Sequence, residues 1–142
     1  MTSVYYGVYK LALWLIFPLL LLVMAIHSVI RRGGFSAYLY KLTILRPRFE
    51  GQLNRIWIHG VSAGEIASAK CVSRLLEKDY KLFISSNTFS GKKMSDMLFP
   101  QSERGFYPFD YPLFCGRMLI RVKPLALVFV EGEIWPNMLR KA

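Results

Sequence analysis

The chain predicts an α/β fold built on a parallel sheet, and three observations carry that prediction. From Arg55 onward, short apolar runs alternate with segments whose apolar residues recur at helical spacing. The last of these runs, "LALVFV", is almost continuously apolar, as expected of a strand buried on both faces. Each run ends in polar or glycine-containing residues. Alternation of this kind favours parallel strands joined by right-handed crossovers.

The elements follow in order. Leu11 to Ile26 reads "LALWLIFPLLLLVMAI" with no polar side chain, and extended to Ile30 it approaches the ~20 residues that span a bilayer core. Three readings compete. A signal peptide needs a small-residue cleavage site, and Arg31-Arg32 directly after the run is wrong for one. A helix apolar all round inside a soluble protein needs a larger body around it. A membrane anchor over 1–32 fits best, with Pro18 kinking the helix rather than ending it. Arg31, Arg32, Lys41, Arg46 and Arg48 follow the run and only Lys10 precedes it, so the positive-inside rule puts the rest of the chain in the cytoplasm. Residues 33–54 are basic, aromatic and turn-rich, and read as a membrane-surface collar or as an ordinary linker.

In the remaining part, 55–142, "RIWIHG" is a strand and "GEIASAKCVSRLLEKD" a helix with Ile66, Ala69, Val72, Leu75 and Leu76 on its apolar side. "YKLFISSNT" is a second strand, "SGKKMSDMLF" a helix closed by Pro100, and "RGFYPFD" a third strand. "YPLFCGRMLIRVK" is a helix closed by Pro124, "LALVFVEGE" a fourth strand, and "IWPNMLRKA" the start of another helix. The sequence reaches Ala142 only a few residues into that helix, so a fragment or a truncated gene is expected.

The 142 residues carry a formal net charge of +10, are 54% hydrophobic and have a mean hydropathy of +0.30. Basic residues beside an apolar anchor suit an anionic membrane surface. No nucleic-acid fold signature or stacking ladder is present, so nucleic acid is not expected as a partner. Cys71 and Cys115 are far apart and outside any CxxC pair, and read as small core residues in a reducing compartment. No metal-ligand spacing occurs, and His27 and His59 stand without partner clusters.

Ligands of open parallel sheets bind beyond the carboxyl ends of the strands. The first strand end carries His59, Gly60, Ser62, Gly64 and Glu65. Ser62-Ala-Gly-Glu65 matches a capping box. The glycines leave the turn open to another molecule, and an ionised glutamate there could act as a general base. Both readings stand at this point. The second strand end carries Ser85, Ser86, Asn87, Thr88 and Ser90, then Lys92 and Lys93, which suits an anion or a polar loop with a plain cap. At the fourth, Glu131 and Glu133 are two apart, so on an extended strand they point the same way. They are otherwise solvated charges ahead of a helix that Pro136 opens.

"IWIHGVSAGE", "ISSNTFSG", "YPFDYP" and "VEGEIWPN" occur in order behind an apolar helix. The set resembles the transferases of 3-deoxy-D-manno-octulosonic acid (Kdo) in lipopolysaccharide synthesis, over nearly the whole chain. Gly132 stands where that family has Thr, and the turn after the second strand is less Thr-rich. The resemblance implies the N-terminal half of a GT-B glycosyltransferase: a Rossmann-like domain that binds the lipid A precursor, anchored to the inner membrane from its cytoplasmic side. It implies Glu65 as the general base, with His59, Ser62, Gly64, Glu131 and Glu133 lining the cleft. Ser86, Thr88, Ser90, Lys92 and Lys93 would hold an acceptor phosphate. The donor CMP-Kdo is already activated, so no separate cofactor or metal is expected, and it would bind a C-terminal half beyond this chain. Alone, the chain would then be inactive. The alternative is a membrane-bound lipid-binding remnant that catalyses nothing.

Overall fold

A computed structural model describes residues 3–30, 34–45, 49 and 54–142. Of the basic residues that follow the apolar run, Arg31, Arg32, Arg46 and Arg48 lie outside the described residues, and Lys41 lies within them.

Four parallel strands form one sheet: β1 Arg55–His59, β2 Lys81–Ser86, β3 Glu103–Phe106 and β4 Ala126–Phe129, in the order β3-β2-β1-β4. The chain winds outward through β2 and β3, then returns to the other side of β1. The order therefore reverses between β1 and β4, as in a Rossmann sheet.

Side chains alternate along these strands and build two cores. Ile56, Ile58, Leu82 and Ile84 pack with Ile66 and Ala69 of α3 (Ala63–Leu76), over which α4 (Phe89–Leu98) also lies. Trp57 and Phe83 face the other way, against Cys115, Met118 and Val122 of α5 (Pro112–Val122) and Met138 of α6 (Pro136–Lys141). At the end away from the strand tips, Arg55 is buried and forms a two-pronged pair with Glu103, its Nη2 donating to Oε1 at 3.0 Å. Its Nη1 donates to the Val122 carbonyl at 2.8 Å.

Several expectations need correction. On α3, Val72 and Leu75 are exposed, and the buried stripe runs Ile66, Ala69, Ser73. At 3.6 residues per turn Leu75 lies about 180° round the helix from Ile66, so the two cannot share a face. Cys71 is exposed too, whereas Cys115 is buried. The third strand stops at Phe106, because the chain leaves the sheet ahead of Pro108, which has no N–H to offer a ladder. The fourth stops at Phe129 and is only partly buried: among the described strands it pairs with β1 alone, leaving its outer edge open.

The apolar segment forms α1 (Ser3–Ile30), unbroken through Pro18, and α2 (Gly34–Lys41) follows. From Val4 to Val29 α1 is long and apolar enough to cross a membrane, with a mean hydropathy of 2.3. It does not stand apart from the domain. Leu13, Phe17, Leu20 and Met24 pack against Leu42, Tyr111 and Phe114. Near its start, Tyr6 donates to Asn137 Oδ1 at 2.8 Å and Tyr9 to Asp110 Oδ2 at 2.7 Å. Near its end, His27 meets the rings of Tyr38 and Phe89. Val8, Leu11, Leu15, Leu19, Leu22 and Val29 remain exposed on the far side. The helix is thus docked lengthwise through one stripe, with an apolar face turned outward.

Candidate functional site

The carboxyl ends of β1 and β4 flank the point where the strand order reverses, the usual ligand crevice of such a sheet. At the end of β1, Ser62 is the N-cap of α3 and the capping box is complete. The Glu65 N–H donates to Ser62 Oγ at 3.3 Å. The Glu65 carboxylate accepts from the Val61 N–H at 2.7 Å on Oε2 and from the Ser62 N–H at 3.1 Å on Oε1. Burial pushes this carboxyl up. The hydrogen bonds from Val61 and Ser62 and the nearby His59 outweigh that, and hold it below its ordinary value. Glu65 is only half-buried, so its ionised carboxylate remains approachable.

Gly60 does not open the turn to another molecule. A Cβ there would lie 3.0 Å from Glu65 Cβ, so the missing side chain makes room for Glu65 itself. Gly64 is exposed, with Ser62 Oγ 3.9 Å from where a Cβ would sit.

His59 does not line an open cleft as expected, because it is buried at 1% exposure. It is an odd-numbered β1 residue and shares the Trp57 side of the sheet. Its ring stacks on Tyr107 with centroids 3.8 Å apart and meets Phe129 edge-on at 5.9 Å. Nδ1 lies 3.1 Å from the Ser85 carbonyl, which can only accept, so we assign the proton to Nδ1. Burial lowers the His59 pKa to about 4, and the ring is neutral at physiological pH. Its Nε2 and the Tyr107 hydroxyl, both buried, have no hydrogen-bond partner among the described residues.

The loop after β2 is tied to the loop after β1. Thr88 is the N-cap of α4; its Oγ1 accepts from the Gly91 N–H at 3.0 Å and donates to the Val61 carbonyl at 3.0 Å. Gly91 permits this closeness, since a Cβ there would sit 2.9 Å from Ser86 Cβ and 3.1 Å from the Val61 oxygen. The five residues expected to hold a phosphate are not brought together. Ser86 is fully buried and donates to the Thr88 carbonyl at 3.2 Å. Lys92 pairs with Asp96 one turn along α4 at 2.5 Å, and Lys93 is exposed. Thr88 and Ser90 alone share a cavity, together with Asn87 and Phe89 of the same loop, and the residues that complete it are ones the sequence did not suggest for this role: His27, Ala37, Tyr38 and Lys41. No local pattern joins residues so far apart in the chain.

Beyond β4 the paired glutamates depart from extended geometry. The Glu133 N–H donates to the Glu131 carbonyl at 2.8 Å, a tight turn centred on Gly132. Both acids are exposed, and Glu133 accepts from the Trp135 indole at 3.0 Å. The Val130 N–H donates to the His59 carbonyl at 2.9 Å, which sets this turn beside the Glu65 loop.

Asp110 is a further polar centre, buried at 4% exposure. Oδ2 accepts from the Asn137 N–H at 3.0 Å and from Tyr9; Oδ1 accepts from the Met138 N–H at 2.9 Å and the Cys115 thiol at 3.3 Å. The Asn137 amide donates back to the Asp110 carbonyl. The "PFD" and "WPN" segments are therefore clasped together, and α1 is fastened to the clasp.

Comparison with known proteins bears on this arrangement. The sequence model of a family described as 3-Deoxy-D-manno-octulosonic-acid transferase (kdotransferase) matches residues 35–142. The 3-deoxy-D-manno-octulosonic acid transferase of Bordetella pertussis is 32% identical over 94 residues, which cover 61% of this chain and 22% of that protein. That of Haemophilus influenzae is 33% identical over 90 residues, 61% of this chain and 21% of that protein. A probable mitochondrial 3-deoxy-D-manno-octulosonic acid transferase of Arabidopsis thaliana is 33% identical over 91 residues, 61% of this chain and 20% of that protein. The chain thus matches about a fifth of the length of these relatives. The matched region holds the whole parallel sheet and every strand end described above, and the chain belongs to the 3-deoxy-D-manno-octulosonic acid transferase family, as part of its N-terminal, Rossmann-like glycosyltransferase domain.

Proposed function

We propose that this chain is the acceptor-binding half of a transferase that moves Kdo from CMP-Kdo to the lipid A precursor. The observation that carries the reading is the ionised Glu65 at the β1 tip, beside the reversal of strand order. In the complete enzyme, Glu65 takes the proton from a glucosamine hydroxyl of the acceptor. The freed oxygen attacks the anomeric carbon of Kdo from the face opposite the phosphate. The bond to phosphate breaks, CMP leaves with its electron pair, and the configuration inverts. Positioning and one base suffice, because the donor is already activated. A donor site on a second domain is required, so the isolated chain binds acceptor without turnover. Incubation with lipid A precursor and radiolabelled CMP-Kdo should give no labelled lipid. Sustained labelling would overturn the assignment as one half of an enzyme.

The membrane is the second partner, reached from the cytoplasmic face of the inner membrane. The docked stripe of α1 runs from Tyr6 to His27, about 31 Å at 1.5 Å per residue. A bilayer core is about 30 Å thick, so a spanning α1 would draw the charged domain into hydrocarbon along with it. The proposal is therefore an α1 lying along the surface, its exposed leucines and valines inserted in the lipid. A peptide tag fused ahead of Met1 should be digested by protease from the same side of the membrane as the domain. Digestion only from the opposite side would establish a spanning helix.

A further inference from the structure

We propose that Trp135 is a positioning residue of the transfer reaction. Its indole fixes Glu133 at the crevice, where that carboxylate accepts a hydrogen bond from the acceptor sugar whose attacking hydroxyl Glu65 deprotonates. The inference rests on the acceptor reading above and adds to it the residue that orders the β4 side of the crevice.

The turn after β4 carries two exposed acids that differ in one respect. Glu131 has no side-chain partner among the described residues. Glu133 accepts on Oε2 from the Trp135 Nε1–H at 3.0 Å, which leaves Oε1 open to another donor. Nothing else steadies this turn from outside. A Cβ at Gly132 would meet no atom within 4 Å, and Ile134 is 74% exposed. A glutamate on such a turn samples many rotamers, and a ligand that ordered it would bear that entropic cost. A hydrogen bond to an ionised carboxylate, made before the ligand arrives, removes much of it.

Trp135 can hold the acid because it is itself held twice. Its backbone is the N-cap of α6, extended ahead of Pro136. The next two N–H groups, of Asn137 and Met138, donate to the buried Asp110 carboxylate at 3.0 and 2.9 Å. Its ring packs on Tyr107 with centroids 5.5 Å apart. Tyr107 is fully buried and stacks in turn on His59. Both of these supporting rings are neutral, because burial lowers His59 to about 4 and raises the Tyr107 hydroxyl. The platform therefore keeps one charge state through the neutral range.

This ladder of rings runs from the exit of β4 to the last residue of β1, beneath the point where the strand order reverses. The backbones are tied at the same place, since the Val130 N–H donates to the His59 carbonyl at 2.9 Å. Glu133 is thus referred to the Glu65 loop through buried rings and a ladder bond rather than through a solvated side chain. Core packing accounts for the indole ring. It does not account for an indole whose single donor is turned out of the core to an acid two residues earlier.

The test uses the complete transferase, with acceptor varied at saturating CMP-Kdo. Trp135→Phe keeps a ring on Tyr107 and removes the N–H. It should raise the acceptor KM by about tenfold and change kcat far less, because the bond to the sugar is weakened in bound substrate and transition state alike. Glu133→Gln should raise KM at least as much, and the double variant should be no worse than Glu133→Gln alone. Multiplied losses in the double variant, or a wild-type KM in Trp135→Phe, overturn the positioning role and leave Glu65 as the base. A wild-type KM in Glu133→Gln overturns the part given to that acid. A second readout needs no tryptophan variant and no turnover. Among the indole N–H resonances of this chain in detergent, one should shift as acid protonates Glu133, and that shift should vanish in Glu133→Gln. Indole resonances that titrate identically in the two proteins overturn the hydrogen bond on which the proposal stands.

Discussion

In the complete transferase, Glu65→Gln should lower Kdo transfer by about two to four orders of magnitude, the usual contribution of a general base. Folding and membrane association should change little. Glutamine keeps a side-chain oxygen at the N3 position of α3 and can accept one of the two N–H groups that Glu65 now serves, so the capping box survives in part. It has no basic oxygen that can take a proton at neutral pH. Ser62→Ala separates the two roles from the other side. It removes the hydroxyl that accepts from the Glu65 N–H and should cost about 1 kcal/mol of stability, read from thermal unfolding. Wild-type activity in Glu65→Gln would return this residue to a purely structural role.

The same bonds set the pH dependence. With the Val61 and Ser62 N–H groups in place the carboxylate stays ionised to lower pH than a free glutamate. The active form is the deprotonated one, so transfer persists above the folded-state pKa and falls as pH drops through it. The acid limb of kcat/KM should therefore lie below the ordinary glutamate range. A carboxylate has lone pairs to spare after accepting two N–H bonds, and an acceptor hydroxyl can use one without dismantling the cap. A limb displaced towards neutral pH would show instead that the carboxylate leaves the cap before catalysis.

The fold was legible where local pattern and tertiary structure agree. "RIWIH" alternates because Ile56 and Ile58 meet one core while Trp57 and His59 meet the other. Ser62 and Glu65 carry their spacing in the sequence, and the box forms as written. Failures fell where distant contacts decide. Period alone did not reveal that Leu75 faces solvent, because helix α3 buries only a narrow stripe and takes the small Ser73 into it. The pattern "LALVFVEGE" suggests that Glu131 and Glu133 extend the strand, but the backbone turns at Gly132 and the two acids lie beyond the strand end at Phe129. The Lys41 cavity was out of reach because its walls come from three elements that only the docking of α1 brings together. Motif matching also carried an ambiguity that geometry resolves in part: the acid of "PFD" and the amide of "WPN" are engaged in holding the domain together.

That clasp gives the largest stability effect expected. Asp110→Ala should destabilise the chain by about 3–5 kcal/mol, measured by urea unfolding followed through tryptophan fluorescence. The carboxylate accepts from two backbone N–H groups at the start of α6, from the Tyr9 hydroxyl and from the Cys115 thiol, all within a buried site. Removing it leaves two N–H groups without an acceptor where water has little access, and each costs roughly 1–3 kcal/mol. The negative charge also sits at a helix N-terminus, which favours it. Asp110→Asn is the sharper variant because its shape is nearly unchanged. Its amide presents a donor to at least one of the groups that Asp110 accepts from, so it should recover less than half of the loss. Tyr9→Phe, which keeps the ring and removes one donor, should cost only about 1 kcal/mol, but it should loosen α1. Faster protease cleavage between α1 and the sheet would report that loosening. If Asp110→Asn unfolds with the wild-type midpoint, the clasp contributes nothing, and the docking of α1 rests on its apolar stripe alone.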